Sequence, residues 1–263
     1  EERVNSRYLI STSIPSSVTA TGDLAVALPG ASMVVFAAPS HAARELLTAM
    51  SSLLDEATII VCVSKGIEIE SGKRISEIAK EVLGGSYRFV CLSGPSFAKE
   101  VVAGHPTAIV AARRDAAAAR TVQNDFSFEN LRIYTNTDVI GTEIGGSVKN
   151  VMAIAAGMTD GLGFGANSVA ALITRGLAEI TRLARREGAQ IETLMGLAGL
   201  GDLVLTCTGN LSRNRFVGEE LGKGKTLAEI KAELNEVAEG INTARAVKKL
   251  ADRAGLEMPI TNE

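Results

Sequence analysis

Lys149 interrupts a segment that is otherwise made of small and apolar residues, from position 145 to position 151. Because removal from water disfavours the charged ammonium, a buried lysine has a pKa lowered toward neutrality and can exchange protons during catalysis. The alternative is that Lys149 reaches the surface or only pairs with a buried carboxylate. The glycines beside it would let a ligand come close, which favours the catalytic interpretation.

Asp202 lies in a second apolar stretch, 199–208, and needs a cation or a hydrogen-bond donor if it is buried. Lys149 is the obvious candidate for that cation. Shortly after it, Arg213 offers the planar pair of donors that suits a phosphate, and Thr206 and Asn214 can add neutral hydrogen bonds that orient the phosphate. An exposed turn is the alternative for Arg213 and Asn214.

Two further segments follow buried strand-like runs. Lys65 and a glycine come after one run, where the lysine could meet a phosphate or a hydroxyl or be a solvated loop residue. After the next run, Gly94 allows close approach of the backbone, and Ser96 is placed to open a helix that favours an anion. An ordinary turn is the alternative there. Neither of the two histidines has an acidic residue within three positions, so we predict no metal site.

The pattern up to residue 136 alternates short apolar runs with helical periodicity, whereas only helical patterns follow. Strand-like runs fall at 18–21, 33–38, 58–63, 88–92, 107–112 and 131–134. Their continuous apolar character favours a sheet buried on both faces. We therefore predict an α/β fold, with a doubly wound, mostly parallel sheet of incomplete Rossmann type in residues 1–136 and an all-helical domain in residues 137–263. Such sheets bind ligands at the carboxyl ends of their strands.

The turn after the second run contains Ser40, which we predict to be the N-cap of the next helix, facing any bound dinucleotide.

The composition of the chain excludes some classes of binding partner. The net charge of −3 argues against nucleic acid, and the longest uncharged stretch, 24–43, is broken by two prolines and a glycine, so no membrane span is expected. The three cysteines, separated and mostly in apolar runs, indicate core filling in a reducing, cytoplasmic compartment.

Seven segments together resemble the bacterial NAD(P)-dependent glycerol-3-phosphate dehydrogenase family. They are SKGIE (64–68), SGPSFAKE (93–100), residues 147–179, AGLGDLVLTCT (198–208), SRNR (212–215), VAEGINT (237–243) and EMPIT (257–261). The resemblance implies interconversion of dihydroxyacetone phosphate and sn-glycerol 3-phosphate by hydride transfer with NAD or NADP, supplying glycerol 3-phosphate for phospholipid synthesis. It also implies a possible homodimer.

The resemblance assigns roles residue by residue. Lys149 matches the general acid/base of the family and is expected to act with Asp202. The substrate-binding positions are Lys65, Gly94, Ser96, Asp202, Ser212, Arg213 and Asn214, and the hydroxyl of Thr206 is expected to join them as a neutral hydrogen-bond partner. The positions that contact the nicotinamide cofactor are Lys65, Ala98, Arg213, Val237 and Glu239.

The chain departs from the family at both ends. The strand and G-x-G-x-x-G turn that normally receive the pyrophosphate do not occur in it, and it stops at residue 263, where family members continue. We expect about 40 to 50 further residues before Glu1 in the complete product, and weak NADH binding by this chain. Two alternatives stay open: a related hydroxy-acid dehydrogenase, and a non-catalytic phosphate-binding module.

Overall fold

The computed structural model describes residues 3–6, 9–85, 87–234 and 238–262. A short antiparallel hairpin comes first, formed by β1 (Val4–Asn5) and β2 (Leu9–Ser13). A five-stranded sheet follows, whose strands lie side by side in chain order. They are β3 (Met33–Phe36), β4 (Ile59–Cys62), β5 (Arg88–Ser93), β6 (Thr107–Ala112) and β7 (Leu131–Asn136).

The five strands form a mostly parallel sheet, with one reversal. The pairs β3–β4, β4–β5 and β6–β7 are parallel, whereas β5 and β6 are antiparallel. The connection between β5 and β6 is only 13 residues long and contains one short helix. It therefore returns the chain beside β5 in the opposite direction instead of crossing over the sheet.

Helices cover both faces of this sheet. The helices of this part of the chain are α1 (Leu24–Ala27), α2 (Ala43–Met50), α3 (Ile75–Leu83), α4 (Ala98–Val102) and α5 (Ala116–Phe126), and α2, α3 and α5 pack on the sheet. Successive residues of β4 point to opposite faces of the sheet: Ile60 packs with α2 and α3 on one face, and Val61 packs with α5 on the other. This three-layer arrangement confirms the predicted Rossmann-type class.

The remainder of the described chain is helical. Its elements are α6 (Val139–Gly161), α7 (Ala166–Arg186), α8 (Ile191–Met195), a π-helical turn (Leu197–Gly201), α9 (Asp202–Thr208), α10 (Arg213–Gly222), α11 (Leu227–Glu233), α12 (Glu239–Ala254) and α13 (Pro259–Asn262). The start of α6 is fixed by Asp138, whose carboxylate accepts hydrogen bonds from the N–H groups of Gly141 (2.8 Å) and Gln190 (2.9 Å).

Helix α6 is the centre of the helical region and is buried along most of its length. Glycines let α10 pack against it with the backbones in contact. A Cβ added at Gly157 would meet the carbonyl oxygen of Arg215, and one at Gly218 would meet that of Ile154. Because a glycine has no side chain to separate the two helices, α10 lies directly on the helix that carries Lys149.

The structure corrects three expectations about elements. Residues 18–21 form no strand and are exposed, and the hairpin strand β2 lies earlier in the chain. Ser40 is not the N-cap of α2, because a 3-10 turn, Ser40–Ala42, precedes that helix and the Ser40 hydroxyl bonds elsewhere. The segment 202–208, which the hydrophobic pattern left without an element, is α9. Among the described residues, no helix is both long enough and apolar enough to span a bilayer.

Candidate active site

Lys149 and Asp202 form a buried ion pair between α6 and α9. Their relative exposures are 6% and 1%, and Lys149 Nζ donates a hydrogen bond to Asp202 Oδ1. The same ammonium donates to Thr206 Oγ (2.8 Å), one helical turn after Asp202, and Thr206 Oγ donates to the Asp202 carbonyl (2.6 Å). The pairing expected from the apolar surroundings of both charges is therefore present.

The environment of Lys149 lowers its pKa to about 7. Burial is the largest cause, because it disfavours the charged ammonium, and the nearby positive charge of Lys65 acts in the same direction. The carboxylate of Asp202 opposes both by favouring the charged form. A lysine with this pKa can give a proton as the ammonium and take one as the neutral amine near neutral pH.

Lys65 approaches the same carboxylate from the sheet. It follows β4, and its Nζ donates to Asp202 Oδ2 (2.6 Å) and to the Gly94 carbonyl (3.2 Å). Gly66, the residue after Lys65, is held by α6, because its N–H donates a hydrogen bond to Ser147 Oγ (2.9 Å). Asp202 therefore holds two ammonium groups, one on each of its carboxylate oxygens.

The loop after β5 runs beside this cluster. Gly94 has a φ of 144°, and a Cβ there would press against the Ile109 backbone, so only glycine fits. Ser96 does not open a helix as predicted, because its hydroxyl donates to the Gly94 carbonyl (3.1 Å), and α4 begins after Phe97. Ala98, the first residue of α4, is exposed.

The residues predicted to bind phosphate divide between two places. Ser212 is the N-cap of α10, accepting from the Arg215 N–H (3.2 Å), so Arg213 is the first residue of that helix and its side chain is exposed. Asn214 is buried, and its Oδ1 accepts from the Gly240 N–H (2.9 Å). The hydroxyl of Thr206 is instead taken up by Lys149 and the Asp202 carbonyl, which corrects its predicted place beside Arg213.

Glu239, at the start of α12, contacts the sheet. Its carboxylate accepts hydrogen bonds from the Ser40 hydroxyl (2.6 Å) and the Ser40 N–H (3.3 Å), beyond the carboxyl end of β3. Val237, which the resemblance also assigned to the cofactor, lies outside the described residues.

Two serines of the site were missed at the level of sequence. Ser147 ties the Lys65 loop to α6, and Ser93, at the end of β5, is 4% exposed. Within the described residues, the Ser93 hydroxyl has no hydrogen-bond partner, and it lies where a side chain on Gly146 would be. The signal that could have found them is their nearness in sequence to predicted site residues: Ser93 directly precedes Gly94, and Ser147 lies two residues before Lys149.

Comparison with known families decides the class of protein. A family model described as NAD-dependent glycerol-3-phosphate dehydrogenase N-terminus matches residues 1–119, and the model for the C-terminus of the same family matches residues 138–263. The chain belongs to this family. The resemblance drawn from the sequence is thereby confirmed.

Relatives match along nearly the whole chain. A glycerol-3-phosphate dehydrogenase (NAD(P)+) of Koribacter versatilis (strain Ellin345) is 54% identical over 99% of the chain and 78% of the relative. One of Anaeromyxobacter sp. (strain K) is 52% identical over 98% of the chain and 78% of the relative. The crystal structure of glycerol-3-phosphate dehydrogenase from Coxiella burnetii superposes with a TM-score of 0.96 at 41% identity, over 99% of the chain and 80% of that structure.

Proposed function

We propose that the protein interconverts dihydroxyacetone phosphate and sn-glycerol 3-phosphate with NADH or NADPH, and that Lys149 transfers the proton. The observation that carries this proposal is the buried pair of Lys149 and Asp202, with a lysine pKa of about 7. In an enzyme of this family, the residues around that pair are the natural reaction centre, because burial without function would favour replacement of the pair by apolar side chains.

The proton transfer follows from the charges of this cluster. Reduction of a ketone leaves negative charge on its oxygen, and the Lys149 ammonium stabilises that charge and then gives up its proton. In the oxidation direction the neutral amine of Lys149 accepts the proton of the hydroxyl. Asp202 keeps the amine in place through both steps, and Thr206 fixes the second hydrogen bond of the ammonium.

The phosphate group is recognised at the start of α10. Arg213 supplies charge-assisted donors at the exposed start of α10, and Asn214, in the same turn, is fixed by Gly240. On the side of the sheet, the substrate site is bounded by Lys65 and by the loop that carries Gly94 and Ser96. The substrate carbons then lie between the phosphate and the Lys149 amine.

A nicotinamide cofactor fits the residues that are present. The buried Ser93 hydroxyl, which has no partner within the described residues, marks the carboxyl end of β5 as a ligand surface. Lys65, Ala98, Arg213, Val237 and Glu239 would hold the cofactor, which supplies or accepts the hydride when bound. The choice between NAD and NADP depends on a residue that follows the glycine-rich turn of the family.

The same proposal extends to compartment and assembly. The described cysteines Cys62, Cys91 and Cys207 are free and buried, with burial as the main cause of their raised pKa, which supports a reducing cytoplasm. A homodimer is the assembly that the family resemblance suggests. Elution of the purified protein at the monomer mass would contradict the homodimer.

The test of the activity compares substrates. The full-length protein should oxidise NADH or NADPH in the presence of dihydroxyacetone phosphate and should not do so with a panel of 2-keto acids. Activity on keto acids alone would identify it as a hydroxy-acid dehydrogenase, which the family matches do not favour. Binding of glycerol 3-phosphate with no turnover of any substrate would favour the phosphate-binding module.

A further inference from the structure

Ser40 and Glu239 join two parts of the chain that are 199 residues apart. The Ser40 side chain is 3% exposed, and both its hydroxyl and its N–H donate to the Glu239 carboxylate. Hydrogen bonds to an ionised acceptor are stronger than neutral ones, and two donors from one residue fix the orientation of the carboxylate. The start of α12 is therefore anchored on the loop after β3.

The atoms around the Ser40–Glu239 contact are closely packed. A Cβ added at Gly66 would overlap the Ser40 Oγ and Cβ atoms and come within 3.3 Å of Glu239 Oε2. Gly66 follows Lys65, the residue that reaches Asp202. The Ser40–Glu239 contact is thus packed against the loop that carries Lys65.

A second hydrogen bond links the start of α12 to α10. Gly240, the residue after Glu239, donates its N–H to the buried Asn214 Oδ1, beside Arg213. A Cβ at Gly240 would also meet Asn214 Oδ1 (2.8 Å) and the Asn150 carbonyl (2.6 Å), so this turn of α12 is pressed against both α10 and α6. The Asn214 side chain is therefore oriented in part by the turn of α12 that Glu239 begins.

We propose that Ser40 is a positioning residue for the phosphate-binding side of the active site, acting through Glu239 and Gly240 on Asn214. Ser40 acts at a distance from the phosphate: its hydroxyl and N–H hold Glu239, and this fixes the first turn of α12, whose Gly240 N–H donates to Asn214 Oδ1. The inference rests on the proposed function, because it takes the ligand of Asn214 to be the phosphate of glycerol 3-phosphate.

The test measures binding of sn-glycerol 3-phosphate and of inorganic phosphate by calorimetry, without cofactor and without turnover. Ser40→Ala should weaken both affinities about 3- to 10-fold, a part of what a hydrogen bond to a charged group contributes. The matched control is Ser51→Ala, because the Ser51 hydroxyl only caps the end of α2 through the Thr48 carbonyl. Its affinities should equal those of the wild type.

A double-mutant cycle separates positioning from a general loss of stability. In a Glu239→Ala background, Ser40→Ala should have little further effect on phosphate binding, because the route from Ser40 to Asn214 is already cut. In steady-state kinetics at saturating cofactor, Ser40→Ala should raise the KM for dihydroxyacetone phosphate and leave kcat nearly unchanged. Wild-type affinity in Ser40→Ala, or equal effects of Ser40→Ala in both backgrounds, would overturn the inference. A wild-type protein that binds no glycerol 3-phosphate would overturn the proposed function and the inference with it.

Discussion

The charge state of Lys149 sets the direction in which the site works best at a given pH. Its pKa of about 7 means that the ammonium dominates below neutrality and the amine above it. Reduction of dihydroxyacetone phosphate needs the ammonium, so its rate should fall as pH rises through about 7. Oxidation of glycerol 3-phosphate needs the amine, so its rate should rise over the same range. Rate profiles measured across pH in both directions check this.

Lys149→Ala should lower turnover by about 100- to 10,000-fold, the usual range for a general acid/base, and should abolish the pH dependence near 7. The affinity for the cofactor should change little. Lys248→Ala is the control, because Lys248 is an exposed lysine of α12 that pairs only loosely with Asp252. Near-normal turnover in Lys149→Ala would make the lysine structural.

Arg213 should act on the phosphate and not on the chemistry. Loss of a charge-assisted bidentate contact costs about 1.5 to 3 kcal/mol, or about 10- to 150-fold in affinity. Arg213→Ala should therefore raise the KM for dihydroxyacetone phosphate by that factor and leave the KM for unphosphorylated dihydroxyacetone nearly unchanged. Arg186→Ala, at the exposed end of α7, is the control. Equal effects on the two substrates would argue against phosphate recognition.

At the scale of elements, the contact between α6 and α10 should tolerate no added volume. Gly218→Ala would place a Cβ on the carbonyl of Ile154, which is backbone and cannot rotate away. Overpacking of this kind costs about 1 to 3 kcal/mol, which exceeds the gain in helix propensity from alanine. We expect a corresponding loss in the free energy of unfolding in urea. Gly22→Ala, where an added Cβ meets nothing within 4 Å, should leave stability unchanged.

The elements show which contacts a sequence can reveal. The pairing of Lys149 with Asp202 was predictable because each charge lies in an apolar stretch and needs a partner when buried. The second cation on Asp202 was not, because Lys65 is 137 residues away in sequence and a loop lysine is equally well solvated. Ser40 looked like a helix cap, and only the tertiary arrangement shows that its hydroxyl serves Glu239 instead. The apolar run 18–21 has strand propensity, but in the described structure no neighbouring strand pairs with it.

At the scale of the whole molecule, the sheet and the helical region are joined by a buried ion pair. Arg74, before α3, donates to Glu143 on α6 (2.8 Å), and the Ser76 N–H donates to the other carboxylate oxygen (2.8 Å). Burial raises the pKa of Glu143, and the charge of Arg74 opposes that rise. The carboxylate therefore needs its partners on the sheet side to stay ionised.

Glu143→Ala should lower the free energy of unfolding by about 3 kcal/mol, because it removes the buried counter-charge of Arg74 and leaves only the exposed carboxylate of Glu77 (3.0 Å) to pair with the guanidinium. Denaturant unfolding followed by circular dichroism measures the loss. Asp252→Ala removes one partner of the exposed Lys248–Asp252 pair and should have no measurable effect. If Glu143→Ala matched that control, the ion pair would contribute nothing to joining the two regions.

The contacts of helix α6 depend on the direction in which each of its side chains points around the helix axis. Glu143 faces Arg74, Ser147 faces Gly66, Lys149 faces Asp202, and Gly157 faces α10. A helix turns by about 100° per residue, so one residue inserted or deleted between Lys149 and Gly157 would point one of these groups away from its partner. Inserting a whole turn would restore the rotation but would move the later groups by about 5.4 Å along the helix axis, so the spacing from Glu143 to Gly157 should tolerate no insertion or deletion.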